Sequence, residues 1–241
     1  MTPQPLEGRV AVLSGATSDI GQAIGRRLAS AGARLRLLGR DRATLEPLAE
    51  KLRAVCGDVR SFPIDLGVDA SLLALGSGLD RVDILVHGAG AYEMGKIERA
   101  PIADLDHQYR VNVRGPLLLT QALLARLREA RGEIVFLNST LGLEARRPGI
   151  GPYAATQHAL RAVADAVRTE LNADGIRVLT LHLGRTASAR QARIFALEGQ
   201  AYSPSLLVQP EDVADMVLAA VCLPRTAEVT EIRMRPMVKS Y

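Results

Sequence analysis

The sequence predicts an α/β fold in which a doubly wound, seven-stranded parallel sheet is flanked by helices on both faces. Short β-branched runs alternate with longer amphipathic stretches along the 241 residues. The short runs are almost continuously apolar, which is typical of parallel strands that are buried on both faces. No composition break or internal repeat divides the chain, so we expect a single domain over residues 1–241.

Each element is assigned from its local pattern. Strands are predicted at residues 10–13, 34–38, 61–64, 84–87, 134–137, 178–182 and 229–234. Helices are predicted at residues 20–31, 43–55, 102–127, 153–173 and 211–222, with Gly32 and Gly175 as C-terminal glycines. Residues 1–6 are polar and proline-containing and are expected to form a flexible tail. Residues 185–209 are the one long stretch between elements, which predicts a substrate loop.

Composition excludes several classes of protein. The net charge of +4 comes from arginines that are scattered among acidic residues, without a basic stripe, so no nucleic-acid partner is expected. No stretch reaches the ~20 continuous apolar residues of a membrane helix, so no membrane partner is expected either. Cys56 and Cys222 form neither a disulfide framework nor a metal-ligand spacing. We therefore expect a cytoplasmic protein without a metal site.

A glycine-containing turn, Ser14-Gly-Ala-Thr-Ser-Asp-Ile-Gly21, follows the first strand and opens the first helix. Gly15 permits a tight turn, and Gly21 lets the helix N-terminus approach a diphosphate, which that end of a helix favours. Thr17 and Ser18 supply hydroxyl donors. The turn predicts a Rossmann-type dinucleotide site; taken alone, it is also compatible with a plain strand–turn–helix corner.

The end of the second strand indicates which nicotinamide cofactor is bound. An NAD site places an acidic residue there to bind the ribose hydroxyls. Here Gly39 takes that place and Arg40 follows, where a guanidinium can bind a 2′-phosphate. The alternative is that Arg40 is an ordinary surface residue. The balance favours NADPH.

These residues resemble the short-chain dehydrogenase/reductase family, and the resemblance extends over roughly residues 6–236. The middle glycine of the family's first motif is Asp19 here, followed by Ile20. The Asp19 carboxylate either repels a diphosphate or caps the first helix, and capping is the favoured interpretation. Asn112 matches the asparagine of the family's catalytic tetrad.

Further family motifs follow the later strands. Asp65-Leu66 resembles the adenine contact, His87-Gly-Ala-Gly90 the Asn-Asn-Ala-Gly motif, and residues 183–188 the Pro-Gly turn with its proline lost. The resemblance implies cofactor-binding roles for Gly15, Thr17, Ser18, Asp19, Ile20, Gly21, Arg40, Asp65, Leu66, His87, Ala89, Gly90, Tyr153, Gln157, Gly184, Thr186 and Ser188.

The implied catalytic residues are Ser139, Tyr153, Gln157 and Asn112. Ketone reduction needs a group that holds the carbonyl oxygen and a proton donor to it, and in the family a serine and a tyrosine do this. Tyr153 follows Ser139 by fourteen residues, one more than the usual gap, so Thr140 is an alternative to Ser139. The flanking glycines favour Ser139.

Gln157 stands where the family carries a lysine, one helical turn after Tyr153. The lysine binds the nicotinamide ribose and lowers the pKa of the tyrosine by its charge. Gln157 can bind the ribose but carries no charge, so the tyrosine is expected to keep a high pKa. This favours carbonyl reduction over alcohol oxidation. Lys96 is a weaker candidate for a replacement cation.

We therefore predict an NADPH-dependent reductase of small-molecule carbonyl substrates. Phe195 and Tyr202 in the substrate loop favour an apolar or aromatic ketone. The alternative is a catalytically weak, nucleotide-binding relative with a regulatory or structural role, which the changes at Asp19 and Gln157 favour. The predicted helices 102–127 and 153–173 carry surplus apolar positions, which by the resemblance would build a homodimer or homotetramer interface. The alternative is that these positions serve core packing alone.

Overall fold

A computed structural model describes residues 4–145 and 147–238. One sheet of seven parallel strands has the order β3-β2-β1-β4-β5-β6-β7. The strands are Val10–Ser14 (β1), Arg34–Gly39 (β2), Val59–Pro63 (β3), Ile84–His87 (β4), Glu133–Ser139 (β5), Arg177–Leu183 (β6) and Glu231–Met234 (β7). The predicted doubly wound, Rossmann-type α/β fold is confirmed, with all seven strands within a few residues of their predicted positions.

Eight α-helices connect the strands within the described ranges. They are Asp19–Ser30 (α1), Arg42–Cys56 (α2), Asp69–Gly78 (α3), Ile102–Tyr109 (α4), Gly115–Ala130 (α5), Gly151–Leu171 (α6), Ala189–Leu197 (α7) and Pro210–Val221 (α8). Two of them, α3 and α7, are absent from the sequence prediction. The predicted loop 185–209 is therefore wrong in part, because α7 occupies its centre.

The sheet separates two apolar cores, since successive strand residues face opposite sides. Leu13 of β1 packs with Ile24 of α1 and Val217 of α8 on one face. Val12, the preceding strand residue, packs with Leu123 of α5 on the other. Helices α1, α2 and α8 thus cover one face, and α3, α5 and α6 cover the other. This arrangement brings the loops at the carboxyl ends of the strands to one edge.

The predicted helix over residues 102–127 is wrong as a single element. A π-helical turn, Arg110–Arg114, separates α4 from α5. Pro116 lies two residues after this turn and has no N–H, so it cannot donate to the carbonyl of Asn112 four residues earlier. The local widening of the helix places Asn112 at its centre, and π-turns of this kind often lie at functional sites.

The predicted flexible tail is wrong at its C-terminal end. Leu6 is 0% exposed and belongs to the core that α1 covers. Its N–H donates to the carbonyl of Ala31 at 2.9 Å. Burial of a leucine side chain and a backbone hydrogen bond anchor this segment. Residues 1–3 lie outside the described residues.

Within residues 4–145 and 147–238, no helix is both long enough and apolar enough to cross a bilayer.

Candidate active site

The sheet order reverses between β1 and β4, and the loops after these strands open a crevice of the kind in which doubly wound proteins bind ligands. Two adjoining cavities, of about 850 and 600 Å³, lie at this edge and share the turn after β1 and the segment after β4. They are lined by nearly all of the predicted site residues: Gly15, Thr17, Ser18, Asp19, Ile20, Arg40, Asp65, Leu66, Ala89, Gly90, Asn112, Ser139, Tyr153, Gln157, Gly184, Thr186 and Ser188. Gly21 and His87 line neither cavity.

The turn after β1 requires glycine at two positions. Gly15 has a φ of 68°, and a Cβ there would lie 2.6 Å from the nitrogen of Ala89. A Cβ on Gly21 would lie 2.2 Å from the carbonyl oxygen of Gly15. Gly15 therefore exposes backbone to the smaller cavity, and Gly21 packs against the Gly15 carbonyl and so holds the turn at the N-terminus of α1. This cradle fits the diphosphate of a dinucleotide.

Asp19 caps a helix, but not the predicted one. Ser18 is the N-cap of α1, because its hydroxyl accepts from the N–H of Gly21 at 3.1 Å. The Asp19 carboxylate instead accepts from the N–H of Ala189, at the start of α7, at 2.9 Å. A carboxylate at the N-terminus of a helix is stabilised by the helix dipole. Asp19 thus links the glycine turn to α7 across the crevice.

The smaller cavity contains the residues predicted to bind the adenosine end of the cofactor. Gly39 ends β2 beside Thr17, and the exposed guanidinium of Arg40 follows it. No described residue forms a hydrogen bond or an ion pair with Arg40. The Asp65 carboxylate accepts from the N–H of Gly67 at 2.8 Å, which shapes the loop after β3. The cation at the end of β2 is therefore available to a phosphate.

His87 is the predicted cofactor residue that the structure places elsewhere. Its side chain is 2% exposed, stacks on Phe136 and forms a 2.9 Å hydrogen bond with the hydroxyl of Thr120 on α5. Burial lowers the pKa of His87 to about 3, so the ring is neutral at pH 7. The prediction that this side chain contacts the cofactor is not supported, because the ring faces the core. The last two residues of the motif, Ala89 and Gly90, line both cavities.

Ser139 and Tyr153 meet in the larger cavity. Ser139 is the last residue of β5, and its hydroxyl accepts from the N–H of Leu141 at 3.1 Å. Burial raises the pKa of Tyr153, whereas the Arg190 charge and a hydrogen bond with Ser139 act in the opposite direction. The influence of Ser139, and not of Thr140, on the pKa of Tyr153 favours Ser139 as the hydroxyl that pairs with the tyrosine. Thr140 also lines the cavity.

Gln157 joins α6 to the end of β5. Its side chain is only 4% exposed, and its Oε1 accepts from the N–H of Ser139 at 3.1 Å. Its backbone carbonyl accepts from Nδ2 of Asn138 at 3.0 Å. A lysine at this position has no acceptor to offer the Ser139 N–H. The glutamine therefore has a structural function that its family counterpart lacks.

Asn112 connects three segments around the site. Its Oδ1 accepts from the N–H of Ala91 at 2.7 Å, and its Nδ2 donates to the Ala91 carbonyl and to the Thr156 hydroxyl at 2.9 and 3.0 Å. The π-helical turn points this side chain at the loop after β4 and at α6 at the same time. All of its bonds are internal, so Asn112 fixes the position of α6 and of Tyr153 on it.

The cation near Tyr153 comes from α7. Nη2 of Arg190 donates to the carbonyl of Gly90 at 2.5 Å, and Arg190 lines both cavities. Lys96, the replacement that the sequence suggested, is exposed and lines neither cavity. The prediction for Lys96 is therefore not supported. Arg190 escaped sequence reasoning because it lies in the segment that was interpreted as a loop.

The substrate side of the larger cavity differs from the prediction. Phe195 and Tyr202 pack against each other, with ring centroids 5.6 Å apart, in a small buried cluster and do not line the cavity. The residues that sequence reasoning missed there are Tyr92, Met94, Arg147, Arg185, Arg190 and Glu198. Tyr92 packs edge-on against Tyr153 at 4.6 Å. No local motif distinguishes these residues, because their proximity is created by the fold.

Comparison with known sequences agrees with this geometry. The short chain dehydrogenase family model matches residues 9–198. An uncharacterized short-chain type dehydrogenase/reductase of Sinorhizobium fredii is 33% identical over 232 residues, covering 94% of this chain and 91% of that protein. An uncharacterized oxidoreductase of Staphylococcus epidermidis is 29% identical over 234 residues, covering 95% of this chain and 97% of that protein.

Solved structures show the same architecture. An alcohol dehydrogenase from the archaeon Thermococcus sibiricus, complexed with 5-hydroxy-NADP, has a TM-score of 0.86 at 25% identity, covering 97% of this chain and 98% of that one. A metagenomic short-chain oxidoreductase in complex with NADP has a TM-score of 0.83 at 27% identity, covering 98% of this chain and all of that one. With the family model matching residues 9–198, the chain belongs to the short-chain dehydrogenase/reductase family of oxidoreductases.

Proposed function

We propose that the protein is an NADPH-dependent reductase of ketones, in which Tyr153 donates the proton and Ser139 orients the carbonyl oxygen. The observation that carries the proposal is that Ser139, at the end of β5, and Tyr153, on α6, line the same cavity. The same cavity includes residues 17–20 of the glycine turn, so the residues that would hold a dinucleotide adjoin the two hydroxyls. The NADP complexes of two relatives support the choice of cofactor class.

In the proposed reduction, Ser139 and Tyr153 act on the carbonyl oxygen of the substrate and the cofactor acts on its carbonyl carbon. A bound nicotinamide supplies the hydride, and with it two electrons, to the carbonyl carbon. The Ser139 hydroxyl donates to the carbonyl oxygen and holds it beside Tyr153. The Tyr153 phenol then gives its proton to the developing alkoxide, which yields the alcohol. Because burial raises the pKa of Tyr153, the phenol is protonated at neutral pH, which is the form that reduction needs.

Arg40 is expected to determine the preference for NADPH over NADH. Arg40→Ala removes a guanidinium that has no partner among the described residues, so we expect the Kd for NADPH to rise about 10- to 100-fold, as for the loss of a charged hydrogen bond. The Kd for NADH should change less than threefold. Both constants are measured by fluorescence titration. Arg42→Ala is the matched control, since Arg42 begins α2 and lines neither cavity; equal effects of both variants would refute the role of Arg40.

Arg190 is expected to control the pH dependence of the reverse reaction. The Arg190 charge acts against the rise in the pKa of Tyr153, so Arg190→Gln should raise that pKa further. Alcohol oxidation requires the ionised phenol, and its pH profile should therefore move to higher pH, with a lower rate at pH 7. At pH 7 the Tyr153 phenol of Arg190→Gln should still be protonated, which is the form that ketone reduction requires. The profile is measured as kcat/KM for oxidation between pH 6 and 11.

The control for Arg190 lies one turn further along α7. Arg193 lines the smaller cavity but not the larger one, and it has no resolved influence on Tyr153. Arg193→Gln should leave the pH profile of oxidation where it is in the wild type. A shift to lower pH in Arg190→Gln, or the same shift in both variants, would contradict the assignment.

The proposed function is tested on the wild-type protein by titrating NADPH and NADH and following NADPH consumption with a panel of ketones. Tight binding of NADPH together with turnover establishes the reductase. Binding without turnover of any ketone points instead to the catalytically weak, nucleotide-binding relative. Absence of binding for both nucleotides refutes both interpretations.

A further inference from the structure

Four residues form a charged cluster on the substrate side of Tyr153, and we call them the Arg185 cluster: Tyr92, Arg147, Arg185 and Glu198. All four line the larger cavity. Nη2 of Arg185 donates to Oε2 of Glu198 at 2.7 Å, and Nη1 of Arg147 donates to Oε1 of the same carboxylate at 2.8 Å. The side chains of Arg185 and Glu198 are only 15% and 14% exposed. One largely buried carboxylate thus serves two guanidinium groups, of which that of Arg147 is 41% exposed.

The charges of this cavity do not balance. Among the described residues that line it, Arg147, Arg185 and Arg190 are cationic, whereas Asp19 and Glu198 are anionic. Asp19 is bound to the N–H of Ala189, away from the Arg185 cluster. Within that cluster, two positive charges face one negative charge. An uncompensated charge beside a largely buried guanidinium favours a ligand of opposite sign.

Two hydrogen-bond donors of the cluster also lack acceptors. Nη1 of Arg185 and the hydroxyl of Tyr92 are buried, and neither has a hydrogen-bond partner within residues 4–145 and 147–238. Buried donors are nearly always paired, so each of these marks a place where an acceptor is missing. The Tyr92 ring contacts the ring of Tyr153. An acceptor bound here therefore lies next to the proposed proton donor.

The guanidinium of Arg185 is held in a fixed orientation. Its Cζ lies 4.3 Å from the centre of the Phe195 ring, in a cation–π contact. Phe195 is itself buried against Tyr202, and Glu198 binds the guanidinium from a second side. A planar guanidinium fixed in this manner presents its remaining N–H groups to a planar carboxylate without further ordering.

We infer, on the basis of the proposed carbonyl reduction, that the substrate is an oxo acid whose carboxylate binds Arg185 and the Tyr92 hydroxyl while its carbonyl group faces Tyr153. The single excess charge of the cluster matches a carboxylate, whereas a phosphate monoester carries about 1.5 to 2 charges. The carboxylate takes no part in the reduction, since the hydride and the Tyr153 proton both go to the carbonyl group. Its binding orients that group.

The test compares oxo acids of three to ten carbons with their methyl esters, as substrates of the wild type and of Arg185→Gln. In the wild type, kcat/KM for the acid should exceed that for the ester by about 10- to 100-fold. This ratio corresponds to the free energy of one hydrogen bond to a charged group. Arg185→Gln should lose this preference, so that its kcat/KM values for acid and ester become similar. Arg185→Lys, which keeps the charge, should restore part of the preference. Arg42→Gln, outside both cavities, should retain all of it. Equal reduction of acid and ester by the wild type would overturn the inference.

A binding measurement separates this inference from the proposed function. Thermal unfolding of the wild type and of Arg185→Gln is followed with saturated carboxylates, which cannot be reduced, and with inorganic phosphate. Stabilisation of the wild type by carboxylates, lost in Arg185→Gln, supports the site even if no carbonyl compound is turned over. Absence of stabilisation by carboxylates, or stabilisation by phosphate alone, overturns it. If Arg185→Gln does not fold, Tyr92→Phe replaces it in both experiments, with a smaller loss expected.

Discussion

Tyr153→Phe is expected to lower kcat for ketone reduction by about 10²- to 10⁴-fold, the usual contribution of a positioned general acid. The substitution removes the hydroxyl that lies in the same cavity as Ser139 and leaves the ring, which packs against Tyr92. We therefore expect the Kd for NADPH and the free energy of unfolding to remain close to their wild-type values. Single-turnover oxidation of NADPH, followed by absorbance, isolates the chemical step.

Tyr109→Phe is the matched control for this substitution, because Tyr109 ends α4, is exposed and lines neither cavity. It should reduce ketones at the wild-type rate. Wild-type kcat in Tyr153→Phe would remove the tyrosine from the mechanism and would move the proton donor to another group. A loss of NADPH binding in Tyr153→Phe would show that the phenol holds the cofactor rather than the substrate.

The replacement of the family lysine by Gln157 has two separable consequences. Helix α6 no longer carries a positive charge beside Tyr153. The charge of Arg190 on α7 lowers the pKa of the phenol instead. In exchange, the Gln157 side chain accepts from the N–H of Ser139 and so fixes the end of β5. The site thus keeps an ordered serine and a protonated tyrosine, which are the two requirements of the proposed reduction. We therefore expect the loss of charge to bear mainly on oxidation.

Most of the fold follows from local patterns. Buried parallel strands are encoded by short apolar runs, and the helices that cover them by amphipathic periodicity, so both are visible in the sequence. Helix α3 escaped prediction because it contains Gly76 and Gly78 and its first turn has no side-chain cap. Helix α7 has nine residues, and one of its N-terminal N–H groups is bound by Asp19, 170 positions away. Such a distant partner leaves no local signal.

The residues of the candidate site likewise fall into two groups: those that belong to local motifs and those that only the fold brings together. The glycine turn, Ser139 and Tyr153 belong to contiguous motifs, and the structure places them around one crevice, as predicted. The orientation of His87 depends on Thr120 and Phe136, which approach it only in the folded sheet. The Arg185 cluster likewise joins residues from the loops after β4, β5 and β6 and from the end of α7. The predicted homodimer or homotetramer stays a prediction.

Gly21 is the position at which a single methyl group should have the largest effect on the cofactor site. The turn after β1 brings the Gly15 carbonyl oxygen to 2.2 Å from where a Cβ on Gly21 would lie. This neighbour is backbone and cannot rotate away as a side chain can. Gly25, one turn further along α1, would place its Cβ 3.4 Å from the Leu52 side chain, which is an ordinary contact. The two glycines thus provide a matched pair on one helix.

Gly21→Ala is expected to lower the free energy of unfolding by about 1–3 kcal/mol, the usual cost of overpacking, and to raise the Kd for NADPH at least ~10-fold, because relief of the clash moves the turn from the helix N-terminus. Gly25→Ala should unfold with the wild-type free energy or gain up to about 1 kcal/mol from the helix propensity of alanine. Urea unfolding and fluorescence titration measure the two quantities.

Wild-type NADPH affinity in Gly21→Ala would mean that the diphosphate does not lie against this turn. Equal loss of affinity in both variants would place the effect in α1 as a whole. Only a loss confined to Gly21→Ala assigns the turn to the cofactor, since both variants add the same methyl group to the same helix.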